Sequence, residues 1–122
     1  MSSLISLSFD DGFRCQFDRA LPILNKYGIP ATFFLIANQQ PTHEDHKNEW
    51  WKIDWRDKDI AMLKNAVQEG HEIGSHSVTH DRTKIPMQPE FETHESKRLI
   101  ERLDWDASLV FLLSVLLDLQ VP

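Results

Sequence analysis

Apolar and β-prone residues crowd the stretch from Leu4 to Phe9, a pattern that predicts a short buried strand. It halts at Asp10-Asp11-Gly12, where turn-forming residues replace hydrophobic ones. From Cys15 to Tyr27 the period changes. Phe17, Ala20, Leu21, Leu24 and Tyr27 recur at spacings of three and four, as in a helix with one buried stripe. Gly28 then stands where a helix closes on a left-handed residue. After Pro30 the run Ala31-Thr32-Phe33-Phe34-Leu35-Ile36 predicts a second buried strand. Helical spacing returns over Asp59 to Glu69, with Ile60, Leu63 and Val67 inward and Gly70 closing the helix. His71 to Ser75 suits a third strand, and Pro89 to Leu103 a third helix. Strands separated by helical crossovers must run parallel, so the chain is expected to be an α/β domain.

At 122 residues there is room for one domain, read as spanning 1–122, whose core needs no disulfide: Cys15 is the sole cysteine. Hydrophobic residues at 41% and charged residues at 26% fit an ordinary globular chain. A formal charge of −6, from 13 basic and 19 acidic residues, argues against a nucleic-acid footprint. The longest apolar run, Ala107 to Leu119, is too short to span a bilayer, so no membrane partner is expected. The opening Met1-Ser2-Ser3-Leu4 lacks a basic region followed by an apolar run, which sets the expectation of a cytoplasmic chain.

The predicted topology gives the polar motifs their meaning. Ligands of parallel α/β folds gather outside the carboxyl ends of the strands. Asp10-Asp11 ends the first strand and His76-Ser77-Val78-Thr79-His80 follows the third, so both belong on one rim. Histidines at i and i+4 converge if the segment makes a helical turn, and one carboxylate completes a set with positions left open. Such a set suits zinc in a hydrolase or iron in an oxygenase. The other aspartate can serve as a proton acceptor. Alone, Asp-Asp-Gly is more often a solvated turn, and a His-x3-His spacing is an exposed pair about as often as a site. Their shared rim is what favours a metal site.

Ser8-Phe9-Asp10-Asp11-Gly12 resembles the first motif of the NodB-homology polysaccharide deacetylases, carbohydrate esterase family 4. Gly70-His71-Glu72-Ile73-Gly74-Ser75-His76-Ser77-Val78-Thr79-His80 resembles their second, and Ile23 to Phe34 is similar to the segment between them. The resemblance covers about Leu4 to Leu103, leaving 104–122 as an atypical tail. It implies a distorted, incomplete (β/α) barrel and removal of acetyl from N-acetylated sugars by metal-activated water. It further implies Asp10 as catalytic base, Asp11, His76 and His80 as ligands of a divalent metal, zinc preferred, and Ser77 as a brace of the histidine loop. Many members of the family are exported.

The pattern also departs from the family. Its third motif, an arginine with prolines, would follow the last helix, where this chain reads Ala107-Ser108-Leu109-Val110-Phe111-Leu112-Leu113. The late Leu-x-His motif that supplies the general acid has no counterpart, His94 being the last histidine. Against a catalytic domain of roughly 200 residues, the expectation is a barrel cut after about three to four strands. Little activity is expected of it, with self-association through an open sheet edge and the 107–119 segment. Two alternatives stand beside deacetylation: a non-catalytic metal- or carbohydrate-binding remnant, and an allantoinase-like hydrolase of small non-sugar amides. A response-regulator receiver is disfavoured, since Ser75-His76 stands where its phospho-accepting aspartate belongs. Trp50, Trp51 and Trp55 could stack on sugar rings, although packing over the sheet rim is the simpler role. Cys15 is expected to be partly buried, His71 to be a hydrogen-bonded structural residue, and Glu90 to Asp106 to form a solvent-facing charged helix.

Overall fold

Three parallel strands in the order β1-β2-β3 form the sheet of the computed structural model, which describes residues 3–37, 53, 55 and 57–102. Trp50, Trp51 and the 107–119 segment lie outside the described residues. The strands are β1 (Ser8–Phe9), β2 (Thr32–Leu35) and β3 (Glu72–Ser75), with Ser8 opposite Thr32, Phe33 opposite Ile73 and Leu35 opposite Ser75. The α/β order expected from the hydrophobic pattern is therefore present, as a three-stranded parallel sheet among the described residues. Among the described residues no helix is long and apolar enough to cross a membrane.

A π-helical turn, Gln16–Ala20, runs into α1 (Leu21–Tyr27), and α2 spans Asp57–Gln68. A second π-helical turn, Phe91–Glu95, runs into α3 (Ser96–Glu101). Gly28 ends α1 at φ 63°, with its N–H on the Asn25 carbonyl and the Ile29 N–H on that of Leu24. Gly70 ends α2 in the same way at φ 97°, with Gly70 on Val67 and His71 on Ala66. This double bond across a left-handed residue satisfies the last helix carbonyls and turns the chain sharply. Each glycine thus feeds a helix into the following strand.

The core lies between β2 and the helices: Phe17, Leu21, Leu24, Phe33, Leu35, Leu63, Ala66, Ile73 and Ile100 form its apolar centre. β2 is buried on both faces, as the middle strand of a parallel sheet must be. Phe33 stacks on Phe9 at 5.1 Å and meets Phe17 at 4.8 Å between ring centroids. In α2 the buried positions are Asp59, Leu63 and Ala66, while Ile60 and Val67 are only half-buried. Leu63 is inward as expected and Val67 packs against the core, while Asp59 and Ala66 widen the inward face to a side the pattern did not mark.

Two expectations need correction. The strand predicted over Leu4–Phe9 pairs only at Ser8 and Phe9, and Leu4 and Ile5 are 98% and 87% exposed. Among the described residues β1 pairs with β2 alone, whose paired stretch starts at Thr32, and Leu7 is the earliest residue that bonds to it, its carbonyl accepting the Thr32 N–H at 3.0 Å. Cys15 is exposed rather than partly buried, because the buried stripe of its helix begins one residue later, at Gln16 and Phe17.

Candidate functional site

The chain leaves β1 through a reversal that glycine makes possible. Asp11 and Gly12 both take left-handed conformations, at φ 74° and 69°. A Cβ on Gly12 would come within 3.0 Å of Leu35 Cδ2 and 3.6 Å of Ile53, so this turn sits directly on the core. Buried Gln16 reaches back from the first π-helical turn, and its Nε2 donates to the Asp10 carbonyl at 2.6 Å. Arg14 joins the same loop to the start of α2 by a two-pronged pair with Asp59, at 3.0 and 2.9 Å.

The second loop leaves β3. Its backbone stays in register with β2 past the strand's end, with His76 N–H on the Leu35 carbonyl and Ala37 N–H on that of Ser77, both at 2.9 Å. Ser77 and His80 are left-handed at φ 70° and 55°. The His80 N–H donates to Ser77 Oγ at 2.9 Å. The two imidazoles therefore converge through a loop with two left-handed residues, not through the helical turn that the i, i+4 spacing suggested. Their ring centroids are 4.7 Å apart.

Both loops deliver their side chains to one point. His76 Nε2 is 3.1 Å and His80 Nε2 3.5 Å from Asp11 Oδ1, and one ligand atom from each of the three residues lies within 4.8 Å of the others. Asp11 Oδ1 is shielded from solvent and accepts no hydrogen bond. A buried acceptor without a hydrogen between two imidazole nitrogens is costly unless a cation completes the group. One carboxylate and two imidazoles are the donors that a divalent transition ion takes. The residues fit a metal. Asp10, one residue earlier in the chain, is exposed. Trp55 is half-buried and packs against the hydrophobic core.

The sequence pattern did not point to the residues that support these loops, Arg14 and Asp59 among them. Gln16 was hidden in a helix read only for its apolar stripe. Glu92 lies in the segment expected to be a solvated charged face, yet it is 1% exposed. Its Oε2 accepts the N–H groups of Val78 and Thr79 at 2.9 Å, and its Oε1 accepts the Thr79 hydroxyl at 2.7 Å. The available signal was positional: Glu92 precedes Ser96 and Ile100 by four and eight residues, on one buried helical face.

Away from the rim, His71 is a buried connector. Its Nδ1 accepts the Ala31 N–H at 3.1 Å, so the ring proton sits on Nε2, 2.7 Å from Asn25 Oδ1. Burial holds its pKa below the usual histidine value, against a smaller upward pull from Glu69.

A family model described as polysaccharide deacetylase matches residues 2–107. The putative polysaccharide deacetylase YxkH of Bacillus subtilis (strain 168) is 30% identical over 81% of this chain and 32% of its own length. The chitooligosaccharide deacetylase of Bradyrhizobium sp. (strain ANU 289) is 32% identical over 62% of this chain and 28% of its own. The chain therefore spans about a third or less of the length of these two curated relatives. Among solved structures, the Streptococcus pyogenes deacetylase PplD, in complex with acetate, superposes with a TM-score of 0.66. That likeness covers 84% of this chain and 42% of the other at 22% identity, and it speaks to the fold.

Proposed function

This chain belongs to the polysaccharide deacetylase family, and on that premise we propose that it carries the metal and base half of a site hydrolysing the amide of N-acetylated sugars. The observation that carries the reading is the gathering of Asp11, His76 and His80 around a buried carboxylate oxygen that accepts no hydrogen bond. These residues would hold one divalent ion, zinc by the nitrogen-rich donor set, through Asp11 Oδ1 and the two Nε2 atoms. When bound, such an ion supplies Lewis acidity, lowering the pKa of water to about 7 and polarising a carbonyl.

Asp10 is the general base in this reading. Its carboxylate is exposed where Asp11 is turned inward, because the left-handed Asp11 reverses the chain between them. One aspartate thus faces the ligand cluster while its neighbour stays open to substrate and water. Asp10 takes the proton that the attacking water loses as oxygen adds to the acetyl carbon. The carbon–nitrogen bond then breaks, giving acetate and an amine that takes its proton from solvent water, since the family's general-acid motif has no counterpart here. Ser77 keeps His80 in place from within the loop. Trp50 and Trp51 would offer aromatic faces to sugar rings, while Trp55 packs against the core, and the substrate is a carbohydrate. The chain is read as a single partial catalytic domain over 1–122, with 104–122 as an atypical tail.

The test is hydrolysis of N-acetylglucosamine oligomers and of simple amides by the chain with zinc and after chelation. Slow release of acetate from the oligomers, held back by the missing general acid, stopping on chelation and returning with zinc, is expected. Turnover that survives chelation would contradict the reading. Zinc-dependent turnover of the amides alone would move the substrate to a small non-sugar amide, and zinc uptake without turnover would leave a metal-binding remnant.

A further inference from the structure

The two π-helical turns do the same thing at the two loops. Gln16, on the first, directs a buried amide at the loop carrying Asp10 and Asp11. Glu92, on the second, directs a buried carboxylate at the loop carrying His76 and His80. A π-helical turn offsets a side chain from the regular helical stripe, and such turns recur at functional sites. Of the two, Glu92 makes the more extensive connection: three hydrogen bonds, all from residues between the two histidines.

We infer that Glu92 is a positioning residue for the metal ligands, its buried carboxylate fixing the loop between His76 and His80 so that both imidazoles meet Asp11. The inference rests on the reading that these three residues hold a metal. The loop has no regular structure of its own and contains two left-handed non-glycine residues, a conformation that L-residues resist. It is held from inside by Ser77 Oγ and from outside by Glu92. Carboxylate acceptors on backbone N–H groups are the stronger, charge-assisted kind of hydrogen bond. An amide at position 92 would keep the size but offer one acceptor oxygen where two are used, and would turn an NH₂ group toward donors. Loss of the carboxylate therefore loosens the spacing of His76 and His80 without touching either ring.

Zinc titration of the full chain, with thermal melting alongside, tests this using Glu92→Gln, Thr79→Val and Ile100→Val. Thr79→Val removes the hydroxyl that bonds Glu92 Oε1 and also accepts from the Asp81 N–H. Ile100→Val injures the core of α3 at the buried end of the same helix, away from the loop. Glu92→Gln is expected to weaken zinc binding by about 10–100-fold, as removal of outer partners of metal ligands does. Thr79→Val should weaken it less, and Ile100→Val should lower the melting temperature at unchanged zinc affinity. Zinc affinity unchanged in Glu92→Gln, or lost equally in Ile100→Val, would overturn the positioning role while leaving the metal reading intact. If Glu92→Gln does not fold, Thr79→Val decides in the same terms. A parent chain that takes up no zinc would overturn the metal reading and this inference with it.

Discussion

Asp10 and Asp11 are the same residue type in adjacent positions, and the backbone alone separates them. A left-handed φ of 74° at Asp11, followed by Gly12 at 69°, sends one carboxylate to the histidines and leaves the other exposed. Their substitutions should therefore differ in kind. Asp10→Asn is expected to cut turnover by about 10²–10⁴-fold with zinc retained, whereas Asp11→Asn should weaken zinc binding itself. Comparable zinc loss in both would show the division to be wrong. His71 gives a pH dependence. Its folded pKa is depressed by burial, so its neutral ring stabilises the fold fully above the ordinary histidine value of about 6.5. That contribution is lost as pH falls through the lower folded value. Melting temperature measured from pH 7 down to pH 5 should drop more steeply in the parent than in His71→Gln, which has no ring to protonate. Glu69, His76 and His80 are common to both proteins, so the difference reports His71. The residue types and their order along the rim were legible in the sequence. The left-handed φ values at Asp11, Ser77 and His80 were not, because nothing in a local pattern calls for them in non-glycine residues.

At the scale of elements, the hydrophobic period gave the helices and strands well, and the errors have physical causes. β1 was read too long because apolarity from Leu4 to Phe9 says nothing about how far its neighbour extends. On α2 the apolar pattern marked Leu63 and Val67 but not Asp59, a charged residue that occupies an inward position. Asp59 is tolerated there through its pair with Arg14, which links the loop after β1 to α2 across the sheet's rim. Breaking a buried ion pair costs about 3–5 kcal/mol, and Arg14, 22% exposed in its side chain, puts this pair at the lower end of that range. Arg14→Ala should lower stability toward urea accordingly, and double substitution with Asp59→Leu should recover part of the loss. No recovery would mean that the pair is not what keeps Asp59 inside. Glu92 was misread for the converse reason. Its neighbours Glu90, Glu95 and Lys97 do make a charged surface, and composition alone cannot pick out the one acid facing inward.

For the molecule as a whole, the parallel order of the strands puts the chemistry in one place. β1 and β3 are not neighbours, yet both end on the rim where β2 holds them in register, so Asp11 and His76 meet from distant parts of the sequence. The family's two motifs were recognisable in the sequence because each is short and local. The partners that hold them in shape, Gln16, Arg14, Asp59 and Glu92, come from the helices and needed the fold to be seen. The central claim is that these strand ends build one metal site from Asp11, His76 and His80. Its most direct test is the zinc content of the purified chain, after saturation with zinc and exhaustive dialysis, beside that of His76→Ala. One zinc ion per chain in the parent, and little or none in the folded variant, is the expected result; equal zinc in both would contradict it.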